Sequence, residues 1–68
     1  MSNALWRDAA GNIQAYTESR DIMAKLKRSY DFPISATYRR EGAIYALQYR
    51  VPAENSRTIR RMFGVQIT

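Results

Sequence analysis

The chain has 68 residues, a net charge of +5, and neither Cys nor His. That length allows one domain at most, and the composition excludes disulfides, Cys/His zinc sites, thiol nucleophiles and the commonest general base. A core this small rarely supplies more than about 3–5 kcal/mol of net stability, so tight local design or association between copies has to contribute. The longest apolar run, Ala43 to Leu47, is far short of the roughly 20 residues that cross a bilayer, and the lack of Cys suits a reducing compartment. The chain therefore reads as soluble and cytoplasmic, a single domain over residues 1–68. Residues 1–4 are set aside, because Ser2-Asn3-Ala4 resembles a cloning scar and such a start is expected to be disordered.

Leu5 and Trp6 suggest a first short strand, and Ile13-Gln14-Ala15-Tyr16 a second. The turn signal Asp8-Ala9-Ala10-Gly11-Asn12 lies between them. This makes a hairpin whose register the pattern leaves open. A helix follows. Thr17 or Ser19 can cap its first amides, and Glu18 and Asp21 suit its positive end. Ile22, Leu26 and Tyr30 recur at i, i+4 and i+8 as an apolar stripe. Lys25, Lys27 and Arg28 suit the negative end, and Pro33 stops the helix.

From Ile34 to Val51 the pattern alternates on both sides of Glu41-Gly42. A two-residue loop there places Tyr38 opposite Tyr45, Ala36 opposite Leu47 and Ile34 opposite Tyr49. The apolar and aromatic face would then receive the helices. Ser35, Thr37, Arg39, Ile44, Ala46, Gln48 and Arg50 would occupy the other face. Pro52 ends the strand, and a second helix is expected from about Ala53 to Phe63. Ile59, Met62 and Phe63 share one side of it, and Arg57, Arg60 and Arg61 the other. Gly64 reads as its C-terminal cap with Val65 as hydrophobic follower. The last four residues either add an edge strand or fray. The fold class is α+β in the order ββαββα, an antiparallel sheet with two helices packed on one face. That order is generic, and no motif in it is specific to one family.

Function is read from charge and aromatic placement. Residues 1–34 carry five basic and four acidic side chains, a net +1; residues 35–68 carry six and two, a net +4, and all six are Arg. Arg grips phosphate or carboxylate with a planar fork. Arg57 and Arg61 are four apart and Arg57 and Arg60 three apart, spacings at which like charges cost a helix a few tenths of a kcal/mol per pair. An anionic partner offsets that cost, and nucleic-acid phosphate is the first candidate. Arg39, Arg40 and Arg50 are expected to extend the patch from the hairpin. Tyr38, Tyr45 and Tyr49, which could stack bases on an open sheet, are assigned to the core because they share a face with Ile34 and Leu47.

The six acids supply no catalytic constellation: Glu18 and Asp21 read as helix-start residues, and no glycine-rich phosphate loop exists. The expectation is a non-enzymatic protein without cofactor or metal. It would be a small nucleic-acid-binding accessory protein that contacts DNA or RNA backbone with weak sequence specificity. The alternative is a protein-interaction module, a small regulator or inhibitor that sets its basic face against an acidic partner protein. No membrane role is expected, and the chain is expected to form a homodimer or higher oligomer.

Overall fold

The computed structural model describes residues 2–68. Its elements are β1 (Asn3–Arg7), β2 (Ile13–Thr17), α1 (Arg20–Ser29), β3 (Ile34–Arg40), β4 (Ala43–Val51) and α2 (Ser56–Phe63). The order is ββαββα, as the sequence pattern implies. One antiparallel sheet has the strand order β1-β2-β4-β3. Both helices pack on one side of it, where Leu26, Ile59 and Phe63 meet Leu5, Ile13, Ala15, Tyr49 and Val51.

Asp8 settles the register of the first hairpin. Its Oδ1 accepts the amides of Ala10 and Asn12, each at 3.0 Å, and Gly11 takes the left-handed conformation, φ +86°, that closes the loop. Arg7 then pairs with Ile13, and Leu5 with Ala15. Asn3 and Ala4 lie within β1, so the expectation of an extraneous, disordered start is corrected for them; Met1 lies outside the described residues. They are ordered because Asn3 is tied on two sides. Its side-chain amide donates to the Phe63 carbonyl at 3.1 Å, and its Oδ1 accepts the Thr17 hydroxyl at 2.7 Å.

Ser19 caps α1, its Oγ accepting the Ile22 amide at 3.2 Å. Thr17, the other cap candidate, is the buried last residue of β2. Glu18 stands before the helix and does not enter its first turn, where Asp21 is the acid. Leu26 is buried with Ile22 packed beside it, so these two positions of the stripe face the sheet; the helix ends at Ser29, ahead of Pro33, and Tyr30, expected to continue the stripe, is its extended C-cap and packs on the core from there. After Pro52 a short 3-10 turn, Ala53–Asn55, leads into α2. Gly64 ends α2 at φ +70°, and its amide donates to the Arg60 carbonyl at 2.8 Å. The chain then turns back over the core. Ile67 forms a parallel bridge with Leu5, and the Thr68 amide donates to the Leu5 carbonyl at 2.9 Å. The outer edge of β1 is thereby covered, and β3 is the edge strand left unpaired.

The second hairpin turns at Glu41-Gly42 as expected, and Arg40 pairs with Ala43. Simple alternation then fails. Between Tyr38 and Arg39 the register shifts, so that Tyr38 pairs with Ala46 and Tyr45 is the extra residue on β4; between Ile34 and Ala36 it shifts back, with Ser35 as the extra residue on β3. A bulge reverses the facing of every side chain beyond it. Ile34 therefore meets Tyr49 as expected. Tyr38 does not oppose Tyr45, and Ala36 pairs with Gln48 where Leu47 was expected. Tyr49 belongs to the core, but Tyr38 and Tyr45 lie on the face away from the helices. On that face the Tyr38 hydroxyl donates to Gln48 Oε1 at 2.6 Å, the partner a half-buried tyrosine needs, and the Tyr45 ring lies under the Arg40 guanidinium. The helix side is already filled by the core cluster of Leu5, Ile13, Leu26, Val51, Ile59, Phe63 and Tyr49. No helix among the described residues is long and apolar enough to cross a membrane.

Candidate nucleic-acid interface

α2 is eight residues long and buries Ile59 and Phe63. At 3.6 residues per turn, the same helix must turn Arg57, Arg60 and Arg61 outward, and all three are exposed. They line a shallow cleft of about 260 Å³ closed at its end by Gly64, Val65 and Gln66. Arg61 also lines a second cleft, of about 440 Å³, in which Thr58 and Met62 of α2 face Lys25, Arg28, Ser29 and Tyr30. Arg60 lines a third, of about 490 Å³, with Arg7, Ser56, Gln66, Ile67 and Thr68. Arg60 and Arg61 thus join three clefts into one surface. Lys25, Arg28, Arg61, Arg57, Arg60 and Arg7 all border it.

Sequence reasoning missed three of these six. Lys25 and Arg28 were read as partners of the α1 dipole; only the packing of α1 beside α2 shows that they share a cleft with Arg61. Arg7 carried no signal at all. It reaches the surface because the C-terminal residues run along β1.

The other three expected contacts are not part of this surface. Arg50 follows Tyr49, which is core, so it projects from the opposite face of the sheet. Arg40 places its guanidinium carbon 4.7 Å from the centre of the Tyr45 ring, on the same opposite face. Arg39 is exposed on the edge strand β3 near the hairpin turn. The six arginines of the second half of the chain therefore serve two surfaces.

That second surface is ordered by its own network. Gln14 donates to Asp8 Oδ2 at 2.7 Å. Its Oε1 accepts from Ser35 Oγ at 2.7 Å and from Gln48 Nε2 at 2.9 Å. Gln48 in turn accepts the Tyr38 hydroxyl. Tyr16 packs edge-on against Tyr38, with centroids 5.2 Å apart, and Tyr38 lies 6.2 Å from Tyr45. The Tyr16 hydroxyl donates to Glu18 Oε2 at 2.8 Å. That bond to a carboxylate pushes the phenol up to about 12 and holds Glu18 below the usual carboxylate range, helped by the Ser2 amide. The Gln14 side-chain amide does the same for Asp8, with the Asn12 and Ala10 amides adding to it.

A carboxylate with a depressed pKa in the folded chain stabilises it above the unfolded value and loses that contribution as pH falls through the folded value. Acidification from about pH 5 downward is therefore expected to lower the melting temperature. The double substitution Asp8→Asn, Glu18→Gln should flatten that acid limb. Thermal melts at pH 7 and pH 3 check this. A difference between the double variant and the parent that is as large at pH 3 as at pH 7 would show that these two groups do not carry the effect.

Comparison with protein-family models, with curated proteins and with solved structures gives no match for this chain, so the two surfaces have to be interpreted from their own chemistry.

Proposed function

We propose that this is a small non-catalytic nucleic-acid-binding protein that grips the phosphate backbone of DNA or RNA across the helix side. The observation that carries the reading is the continuity of the basic surface. The Arg57 cleft shares Arg61 with the cleft of Lys25 and Arg28 and shares Arg60 with the cleft of Arg7, so cations from α1, α2 and β1 border adjoining clefts. A row of cations on neighbouring elements is costly unless an extended anion neutralises several at once, as a phosphate backbone does. Guanidinium and ammonium groups on open clefts fit phosphate and carry little base-reading chemistry, so specificity for sequence should be weak. The cytoplasm is the compartment this reading implies. The direct test is binding to mixed DNA and RNA oligonucleotides over a salt series, before and after substitution of the α2 arginines.

A second reading has one observation in its favour. Tyr30 lines both the Lys25–Arg61 cleft and a neighbouring apolar cleft of about 430 Å³ that includes Met23, Phe32, Ile34, Leu47 and Tyr49. Ile34 is 54% exposed there. An acidic partner protein with one large apolar anchor would use both clefts. The same salt series separates the readings, since a protein-interaction module should bind oligonucleotides poorly even at low salt.

Self-association belongs to the proposal as well. With β1 covered by the C-terminal residues, β3 is the edge at which another copy can add. Light scattering at high micromolar concentration should give a mass above the monomer; a strictly monomeric mass there would remove this part of the proposal.

A further inference from the structure

The sheet face away from the helices is uncovered, and it is not a surface that the α2 arginines serve. Across it run Trp6 opposite Gln14, Gln14 opposite Arg50, Tyr16 opposite Gln48, and Tyr38 opposite Ala46. Trp6, Tyr16, Tyr38 and Tyr45 are all half-buried. Two aromatic positions therefore flank a central pair of amides. Trp6 stands on the β1 side of Gln14 and Arg50 on the β4 side, while Tyr38, Tyr45 and Arg40 lie beyond Gln48 toward the β3–β4 turn. The amide pair is locked, Gln48 to Gln14 at 2.9 Å, and Tyr38 is pinned to it at 2.6 Å. Tyr38 is thus held in place before any partner arrives.

We propose that this face binds single-stranded nucleic acid, with unpaired bases stacking on Trp6 and on Tyr45 while Arg50 and Arg40, whose guanidinium lies over the Tyr45 ring, meet the phosphates. The inference rests on the nucleic-acid reading above and adds to it a preference for single strands. The chemistry fits that ligand. Every base has a π-face that an aromatic side chain can stack on, whatever the sequence, and guanidinium groups beside the rings supply the counter-charge. Gln14 and Gln48 each keep one side-chain N–H beyond the bonds that lock them together, a donor for a base edge. A second copy of the chain fits less well. The cores of stable protein interfaces are apolar, whereas the side chains that cross this face besides the rings are Gln14, Gln48, Ser35, Arg40, Arg50 and alanines, with the carboxylates of Asp8 and Glu18 at its margins. The large exposed aliphatic residue, Ile34, lies on the other side of the sheet with Tyr49.

Trp6 is the one tryptophan of the chain, so its emission reports on the proposed surface directly. The experiment titrates the full chain with a ten-nucleotide single strand and with a duplex of matched length, following both Trp6 emission and anisotropy of the labelled oligonucleotide. Saturable quenching by the single strand and none by the duplex is expected. Tyr45→Leu should weaken single-strand binding by about 5- to 100-fold, the loss of one base stack, and leave duplex binding unchanged. Tyr45→Phe, which keeps the ring, should stay within about twofold of the parent. Parent-like circular dichroism of both variants controls for folding. Failure of the two readings looks different. If neither oligonucleotide binds, the nucleic-acid reading falls and this one with it. If both bind equally with Trp6 emission unchanged, the helix side binds and the sheet face does not. A dimer that Tyr45→Leu dissociates would overturn the proposal in favour of a self-docking face.

Discussion

Replacing Arg57, Arg60 and Arg61 together with Gln is expected to flatten the salt dependence of nucleic-acid affinity by about two to three log–log units. Each phosphate neutralised contributes a slope of about −0.9 for duplex DNA and about −0.7 for single strands, and three contacts are removed. A residual slope should remain, because Lys25, Arg28 and Arg7 border the same clefts. Adding Lys25→Gln and Arg28→Gln should flatten it further by about one and a half units. Stability should hold or rise slightly. The three arginines are exposed, and removing them relieves like-charge pairs that cost a few tenths of a kcal/mol each. Anisotropy titrations at several salt concentrations, paired with thermal melts, check both halves. Binding with an unchanged slope in the triple variant would take the site away from α2, and a large loss of stability would mean the arginines do more than face solvent.

The other side of the same helix should respond in the opposite way. Ile59→Ala is expected to cost about 2–5 kcal/mol, the range for truncating a buried isoleucine. Ile59 is 0% exposed and sits in the cluster with Leu5, Ile13 and Val51. A domain of this size holds only about 3–5 kcal/mol in total, so the variant should be largely unfolded or melt about 8 °C or more below the parent, at roughly 4–8 °C per kcal/mol. Arg60→Ala, one residue on, should melt close to the parent. Circular dichroism melts of the two variants decide the matter. Similar melting of Ile59→Ala and the parent would show that α2 is not seated on the sheet as described.

The two helices and both hairpin turns were legible because each is written in local chemistry. A 3.6-residue stripe, Ser19 at an N-terminus and Gly64 at a C-terminus name a helix without reference to the rest of the chain. Glu41-Gly42, with φ of 52° and 81°, names a tight hairpin turn. The outward side of α2 followed from the same periodicity. Arg57, Arg60 and Arg61 lie where counting placed them, although the pattern gives no sign of which neighbours complete the surface.

What the alternation of β3 and β4 did not reveal was its own interruption. The extra residues Tyr45 and Ser35 leave a hydrophobic pattern that still looks continuous, since a bulge changes facing without changing composition. The partners that make the bulged register favourable, Gln14 and Gln48, come from strands far apart in sequence, and such pairings have no local signature. For the same reason the sequence could not join Lys25 and Arg28 to Arg61, tie Arg7 to Arg60, or part Arg40 and Arg50 from the helix side. By itself the sequence determined the α+β class, the order of elements, the basic character of the second half and the exposed side of α2. These depend on residue type and short-range spacing. The tertiary structure alone decided which face of the sheet the tyrosines take, that Asn3 and Ala4 belong to β1, and that the cations divide into two surfaces. Those depend on which distant side chains share a hydrogen bond or a cleft.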